Sequence, residues 1–251
     1  MAEKADIVEV FSSIQGEGLY IGERQIFVRF FPCNLSCAYC DTPTDASKVR
    51  DCLVEVTPGR QDWQKIKNPM SVNDLMETVK GFIVRSGRHH SISLTGGEPL
   101  LQVAFLKEWF PIIGGDQKIY LETNGTLHEE LGELIDFIDI ISMDIKLPGT
   151  SGIEPMWDEH RLFLEKAIHK EVFVKVVVSG DTAKEEFSRA VRLVKGVDRR
   201  VPLIIQPMTP PYGGKDGMPS PAKLIGFHEE ASADLETVKV IPQSHKMMGM
   251  L

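Results

Sequence analysis

Three cysteines within eight positions carry the most specific chemistry in this chain. Cys33, Cys37 and Cys40 stand in Pro32-Cys33-Asn34-Leu35-Ser36-Cys37-Ala38-Tyr39-Cys40-Asp41-Thr42, a C-x3-C-x2-C spacing. Thiolates three and four positions apart on a short loop can wrap one corner of an iron–sulfur cubane and ligate three of its irons. The fourth iron then has no protein ligand and stays open to a chelating small molecule. A structural zinc site with Cys52 as fourth thiolate competes for the same residues. Zinc sites usually pair C-x2-C knuckles, however, and Cys52 stands alone in a polar stretch, where it reads as an uninvolved thiol.

Other polar residues recur where apolar runs end. Thr95-Gly96-Gly97-Glu98-Pro99 sets two glycines where backbone could approach a ligand and offer amides and carbonyls to a zwitterion; a bare Gly-Gly alone marks only a turn. Glu122-Thr123-Asn124-Gly125 offers a carboxylate and an amide, or simply a strand-to-helix turn. Period-two spacing puts Ser142, Asp144 and Lys146 on one strand face, as a ligand contact or as an inward salt bridge.

The elements that must hold these loops read as a repeated strand–helix unit. Short runs rich in Ile, Val, Leu and Phe fall at 25–31, 90–94, 118–122, 138–145, 172–179, 201–206 and 237–241, as in a parallel sheet buried on both faces. Helical apolar spacing fills 72–85, 100–110, 129–137, 158–169 and 182–195. The expected fold is α/β, a partial (open) β/α barrel with outer helices, forming a single domain over 1–251. Residues 43–69, with three prolines and one glycine among polar residues, read as an insertion, and 208–221 as a surface loop. In such folds ligands bind at the C-terminal ends of strands, which is where the cysteines and the three polar loops fall.

Composition narrows the partners. With 28 Lys+Arg against 36 Asp+Glu the formal charge is −8, which argues against a nucleic acid or an anionic membrane surface as the main partner. The N-terminus shows no signal-peptide apolar region, and no apolar run is long enough to span a bilayer. The expected compartment is the reducing cytoplasm, where clustered cysteines serve as metal ligands more often than as disulfides.

The cysteine spacing is similar to the signature of the radical S-adenosylmethionine (SAM) superfamily, and Thr95-Gly96-Gly97-Glu98-Pro99 to its glycine-rich SAM loop. The stretch Phe11-Ser12-Ser13-Ile14-Gln15-Gly16-Glu17-Gly18 is more particular: it resembles the N-terminal signature of the 7-carboxy-7-deazaguanine synthases. The likeness continues through Arg29-Phe30, Glu122-Thr123-Asn124-Gly125, Gln206-Pro207-Met208 and Ile241-Pro242-Gln243-Ser244-His245-Lys246. It implies a lyase that converts 6-carboxy-5,6,7,8-tetrahydropterin to 7-carboxy-7-deazaguanine with loss of ammonia, in queuosine or another deazapurine biosynthesis. It also implies a 4Fe–4S cluster on Cys33, Cys37 and Cys40, SAM, Mg²⁺ with Thr42 as its protein ligand, an electron donor such as flavodoxin or ferredoxin, and a homodimer. SAM contacts would come from Tyr39, Cys40, Asp41, Gly97, Glu122, Asn124, Ser142 and Lys146. The pterin would meet Ile14, Gln15, Gly16, Glu17, Arg29, Thr95 and His245. Asp144-Ile145-Lys146 is also similar to the D-x-K of glycyl-radical activating enzymes, the alternative within the superfamily. His89 and His90 read as ordinary strand-end residues.

Overall fold

The computed structural model describes residues 3–40, 42, 45–209 and 217–250. The strand β1 (Lys4–Ile14) opens the chain and β2 (Arg24–Phe31) returns antiparallel to it. After β3 (Asp51–Glu55), β4 (Trp63–Lys67), β5 (Met70–Ser71) and α1 (Val72–Ser86), strands and helices alternate. They are β6 (Ser91–Gly96), α2 (Val103–Ile113), β7 (Ile119–Thr123), α3 (His128–Leu134), β8 (Ile140–Asp144), α4 (Pro148–Ser151) and α5 (Trp157–Ala167). Then come β9 (Glu171–Val178), α6 (Lys184–Asp198), β10 (Leu203–Pro207), α7 (Pro221–Ser232), β11 (Val238–Val240) and α8 (Ser244–Met248).

One sheet holds them in the order β11-β10-β9-β8-β7-β6-β2-β1-β3-β4, with β5 beside β1. Strands β2 and β6 through β11 pair in parallel, and these are the runs expected from apolar clustering. Among the described residues β11 and β4 are not joined, so the barrel is open. The 43–69 segment contributes sheet: β3 and β4 form an antiparallel hairpin, and β3 adds parallel to β1. Its exposed Lys65 and Lys67 on the outer strand are what an edge requires and what hid it from an apolar count. Of the 208–221 loop, 210–216 lie outside the described residues.

The outer layer is built by helix periodicity. Leu75, Val79 and Phe82 of α1, Phe105, Leu106 and Trp109 of α2, and Phe187, Val191 and Val194 of α6 are buried against the sheet. Each such side chain contributes about 1.5–3 kcal/mol by burial. Ser71 and Asp74 close a capping box that fixes where α1 begins.

The concave face is different. Tyr120, Ile140, Phe173 and Ile204 form a second, smaller core there, with Leu19, Tyr20 and Ile241 packed on it. Two residues further along the same strands, hence on the same face, stand Glu122, Ser142, Lys175 and Gln206. Each strand therefore changes from apolar to polar at one level, and the apolar layer becomes the floor of a polar cavity.

Candidate active site

That cavity opens at the C-terminal ends of the parallel strands, and the cysteine loop sits on its rim. Cys33 and Cys37 are half-buried and Cys40 is exposed. The loop is tied down through its backbone and Asn34. Ala38 N–H donates to Ser151 O at 2.7 Å, and Cys40 N–H to Cys37 O at 3.1 Å. Asn124 Nδ2 donates to Asn34 Oδ1 at 2.8 Å, and Asn34 Nδ2 to Thr126 Oγ1 at 3.0 Å. Burial pushes the Cys33 and Cys37 thiols up, which suits a loop filled by metal better than a free thiolate nucleophile.

Gly97 locks this loop to β6. Its N–H donates to Phe30 O and the next amide to Pro32 O, both at 2.9 Å. A Cβ on Gly97 would lie 2.3 Å from the Pro32 carbonyl oxygen, so only glycine permits the approach. Glu98, fully buried, fastens the β6 loop to β7: it accepts from Leu100 N–H at 3.1 Å, Thr123 Oγ1 at 2.9 Å and Asn124 N–H at 2.8 Å. Burial outweighs those donors and raises its carboxyl to about 7. His160, driven down to about 4 by burial, stays neutral with Nε2 3.1 Å from the Asn124 carbonyl.

The donor set fits an iron–sulfur cubane. Among the described residues no three His, Cys, Asp or Glu side chains converge on a single-ion position. Three thiols spread along one rim suit a cubane, whose thiolates sit on different irons. Cys52 packs in the core on β3, and burial, with Glu9 nearby, pushes its thiol up to about 12. The four-thiolate zinc site has lost its fourth ligand.

Deeper in, the polar side chains form one connected network. Glu122 accepts from Gln15 Nε2 at 2.7 Å and from Thr95 Oγ1 at 2.6 Å. Gln15 Oε1 in turn accepts the Glu17 N–H at 3.0 Å. Lys175 pairs with Glu17 and lies 3.4 Å from Asp144 Oδ1, while Lys146 Nζ holds Asp144 Oδ2 at 2.6 Å. Gln243 Nε2 donates to Glu17 at 2.6 Å. Burial alone would raise the Glu17 carboxyl, but Lys175, Gln243 and His245 bring it down to about 2. Burial likewise opposes the Lys146 charge, yet Asp144 holds its ammonium protonated well above the usual range. Arg29 Nε meets Glu9 at 2.7 Å, so Glu9 sets the direction of the guanidinium at the cavity wall.

Every residue expected at the site and described by the structure lines this one cavity. The rim holds Cys33, Cys37, Tyr39, Cys40 and Thr42; the strand ends bring Thr95, Gly97, Glu122, Asn124, Ser142 and Lys146. The N-terminal segment brings Ile14, Gln15, Gly16 and Glu17, β2 brings Arg29, and α8 brings His245. Asp41 lies outside the described residues. The inward salt bridge weighed for Asp144 and Lys146 exists, and both partners face the cavity.

Some lining residues escaped the sequence reading. Lys175 interrupts Val172-Phe173-Val174-Lys175-Val176-Val177-Val178, and a lysine inside so apolar a strand is itself a signal. Gln206 and Gln243 belong to the quoted resemblance without an assigned role, and both line the cavity. Phe27, its ring centroid 5.0 Å from that of Phe11, gives it an apolar wall; Phe11 opens the quoted stretch without an assigned role, and nothing in the spacing marks Phe27.

An open β/α barrel with a three-cysteine loop after its first parallel strand defines a class, and residues 30–151 match the family model of the radical SAM superfamily. The chain is 46% identical to the 7-carboxy-7-deazaguanine synthase of Geobacter sulfurreducens over 248 residues, covering 98% of both chains. It is 36% identical to the 7-carboxy-7-deazaguanine synthase of Methanothermobacter thermautotrophicus, again over 98% of both. The chain belongs to the 7-carboxy-7-deazaguanine synthase family. In fold it is similar to the crystal structure of QueE from Escherichia coli, with a TM-score of 0.58 at 16% identity over 96% of this chain and 94% of that one. No helix among the described residues is long and apolar enough to cross a membrane.

Proposed function

We propose that the chain converts 6-carboxy-5,6,7,8-tetrahydropterin to 7-carboxy-7-deazaguanine with release of ammonia. The observation that supports it most is the single cavity in which the cysteine loop faces the Gln15-Gly16-Glu17 segment and His245. Cys33, Cys37 and Cys40 hold the 4Fe–4S cluster. When bound, the cluster and SAM would supply one-electron reduction and hydrogen-atom abstraction chemistry.

The chain's own residues bind and orient. Gly97 would hold the SAM amino-acid end beside the cysteines and Glu122 and Asn124 would lie near the ribose, with Tyr39, the Cys40 and Asp41 segment, Ser142 and Lys146 around the rest. Gln15, the Ile14 and Gly16 backbone and ionised Glu17 offer paired acceptors and donors to the pterin edge, and Thr95 and His245 complete its enclosure. Arg29 presents a fixed fork to the carboxylate or a ring carbonyl. Thr42, on the cavity rim, would offer a hydroxyl to Mg²⁺. A flavodoxin or ferredoxin as reductant, a homodimer as working unit, one domain over 1–251 and a cytoplasmic setting rest on the family resemblance and the sequence.

The test is anaerobic reconstitution followed by incubation with the pterin, SAM, reductant and Mg²⁺. The deazaguanine product, detected by mass, is expected in excess over SAM consumed. Zinc in place of iron would end the enzyme reading. Iron with no deazaguanine, but a glycyl radical raised in a partner protein, would move the chain to the activating enzymes.

A further inference from the structure

We propose that Lys175 is a positioning residue for substrate recognition: its buried ammonium, shared between Glu17 and Asp144, fixes the Glu17 carboxylate as the acceptor for the N–H edge of the pterin. This rests on the pterin reading above and deepens it.

The placement follows from the strand. On β9, Phe173 and Lys175 share the concave face by period two. Gly18, at φ +66°, turns the chain tightly over Phe173; a Cβ there would lie 2.5 Å from the ring. With Gly18 seated on Phe173, the preceding residue, Glu17, comes to rest on Lys175. On the neighbouring strand Asp144 is the register partner of Lys175, so the ammonium lies between two carboxylates from different elements. The lysine side chain is only 9% exposed, and the cost of burying its charge there is offset by the two carboxylates beside it.

Removing the ammonium leaves Glu17 and Asp144 facing each other without the shared cation. A like charge in so dry a place disfavours ionisation of Glu17, whereas Asp144 keeps its second partner, Lys146. A protonated Glu17 would present a donor where the pterin edge needs an acceptor. The other groups facing Glu17 cannot replace Lys175. Glu122 and Tyr120 of β7 offer no cation, Lys146 in the loop after β8 is held by Asp144, and Gln243 before α8 is neutral. His245 of α8 supplies only the weakest of the influences that lower the carboxyl.

The experiment compares reconstituted wild type, Lys175→Met, Lys175→Arg, Glu17→Gln and the Lys175→Met/Glu17→Gln double variant. Cluster content and SAM affinity are measured beside steady-state pterin kinetics from pH 6 to 9. Lys175→Met should raise the pterin KM by roughly 10- to 100-fold, the loss expected for a charge-assisted hydrogen bond, with a much smaller change in kcat. Its kcat/KM should gain an acid limb that wild type lacks, recovering as pH rises. Lys175→Arg should restore most of the loss. In the Glu17→Gln background Lys175→Met should add less than about threefold, because the two residues act as one. A Lys175→Met variant with wild-type KM at every pH, or losses that multiply in the double variant, would overturn the proposal. So would arginine failing to rescue while the cluster stays intact. If the lysine variants lose the cluster, the residue is structural and the proposal fails. If wild type itself makes no deazaguanine, it is the pterin reading that falls.

Discussion

Gly97→Ala inserts one methyl between the two loops that the site needs side by side. That carbon would lie 2.3 Å from the Pro32 carbonyl oxygen, 2.6 Å from its carbon and 3.0 Å from the Cys33 nitrogen. All three are backbone atoms, so no rotamer change relieves the clash. Ordinary contact begins at 3.4 Å, and the loops must part by about 1 Å, the difference between 3.4 and 2.3 Å. Parting them breaks the bonds from Gly97 N–H to Phe30 O and from Glu98 N–H to Pro32 O, now 2.9 Å each. Overpacking costs about 1–3 kcal/mol and each lost bond about 0.5–1.5 kcal/mol, together about 2–6 kcal/mol.

For a chain of this size such a loss lowers Tm by roughly 5–20 °C. The functional effect is larger than the thermal one suggests, because a 1 Å misplacement of reacting groups costs on the order of 100-fold. The assay is anaerobic: iron and sulfide per chain, SAM KM, and deazaguanine formation. Gly97→Ala should retain its strands by circular dichroism yet lose on the order of 100-fold in kcat/KM for SAM. The control is Gly226→Ala, a helical position in α7 where a Cβ meets nothing within 4 Å. It should be neutral or stabilising by up to about 1 kcal/mol. A Gly97→Ala protein with SAM kinetics within twofold of wild type would refute the view that backbone proximity at Pro32 builds the site.

Three further outcomes are expected. Cys33→Ala should abolish the cluster, whereas Cys52→Ala should keep full iron and sulfide content, since that thiol lies in the core; iron loss in Cys52→Ala would return it to the ligand set. Glu98→Gln should gain stability relative to wild type as pH rises. The native carboxyl titrates at about 7 against the ordinary 4.5, so the folded state binds the extra proton and its advantage fades across that window. Calorimetry should show a relative gain on the order of 3 kcal/mol between pH 4.5 and 7.5, and a gap independent of pH would contradict the burial argument. Arg29→Ala should weaken pterin turnover while leaving the cluster absorbance intact; loss of that absorbance would mean the residue supports the cysteine loop instead.

The parallel strands were legible because burial on both faces demands runs such as Val172-Phe173-Val174, which few other structures use. The strand β1 and the β3–β4 hairpin were harder to read. Their sequences alternate or carry lysines, as edges and half-exposed strands do, and that pattern resembles a polar loop. The candidate site was legible where chemistry forces a spacing, at Cys33, Cys37 and Cys40, and where a motif repeats a family pattern, at Gln15-Gly16-Glu17. It was hidden where a role depends on a partner remote in sequence. Lys175 meets Glu17 across 158 positions and Gln243 meets it across 226, and no local pattern announces either pair.

Those long-range pairs also explain why the site can be polar at all. Glu17, Glu122 and Asp144 are acids placed on or against the concave face of a sheet whose lower layer is Tyr120, Ile140, Phe173 and Ile204. Unpaired, an acid buried there would carry a large desolvation cost. Lys175 pairs with Glu17 and Lys146 with Asp144, and Gln15 and Thr95 donate to Glu122. The acceptors are therefore oriented before any ligand arrives, so binding need not organise them. Such a network contributes little net stability compared with apolar residues of the same volume. What it supplies is a fixed arrangement of charge at the one level where the strands leave their apolar floor, directly below the rim on which Cys33, Cys37 and Cys40 stand.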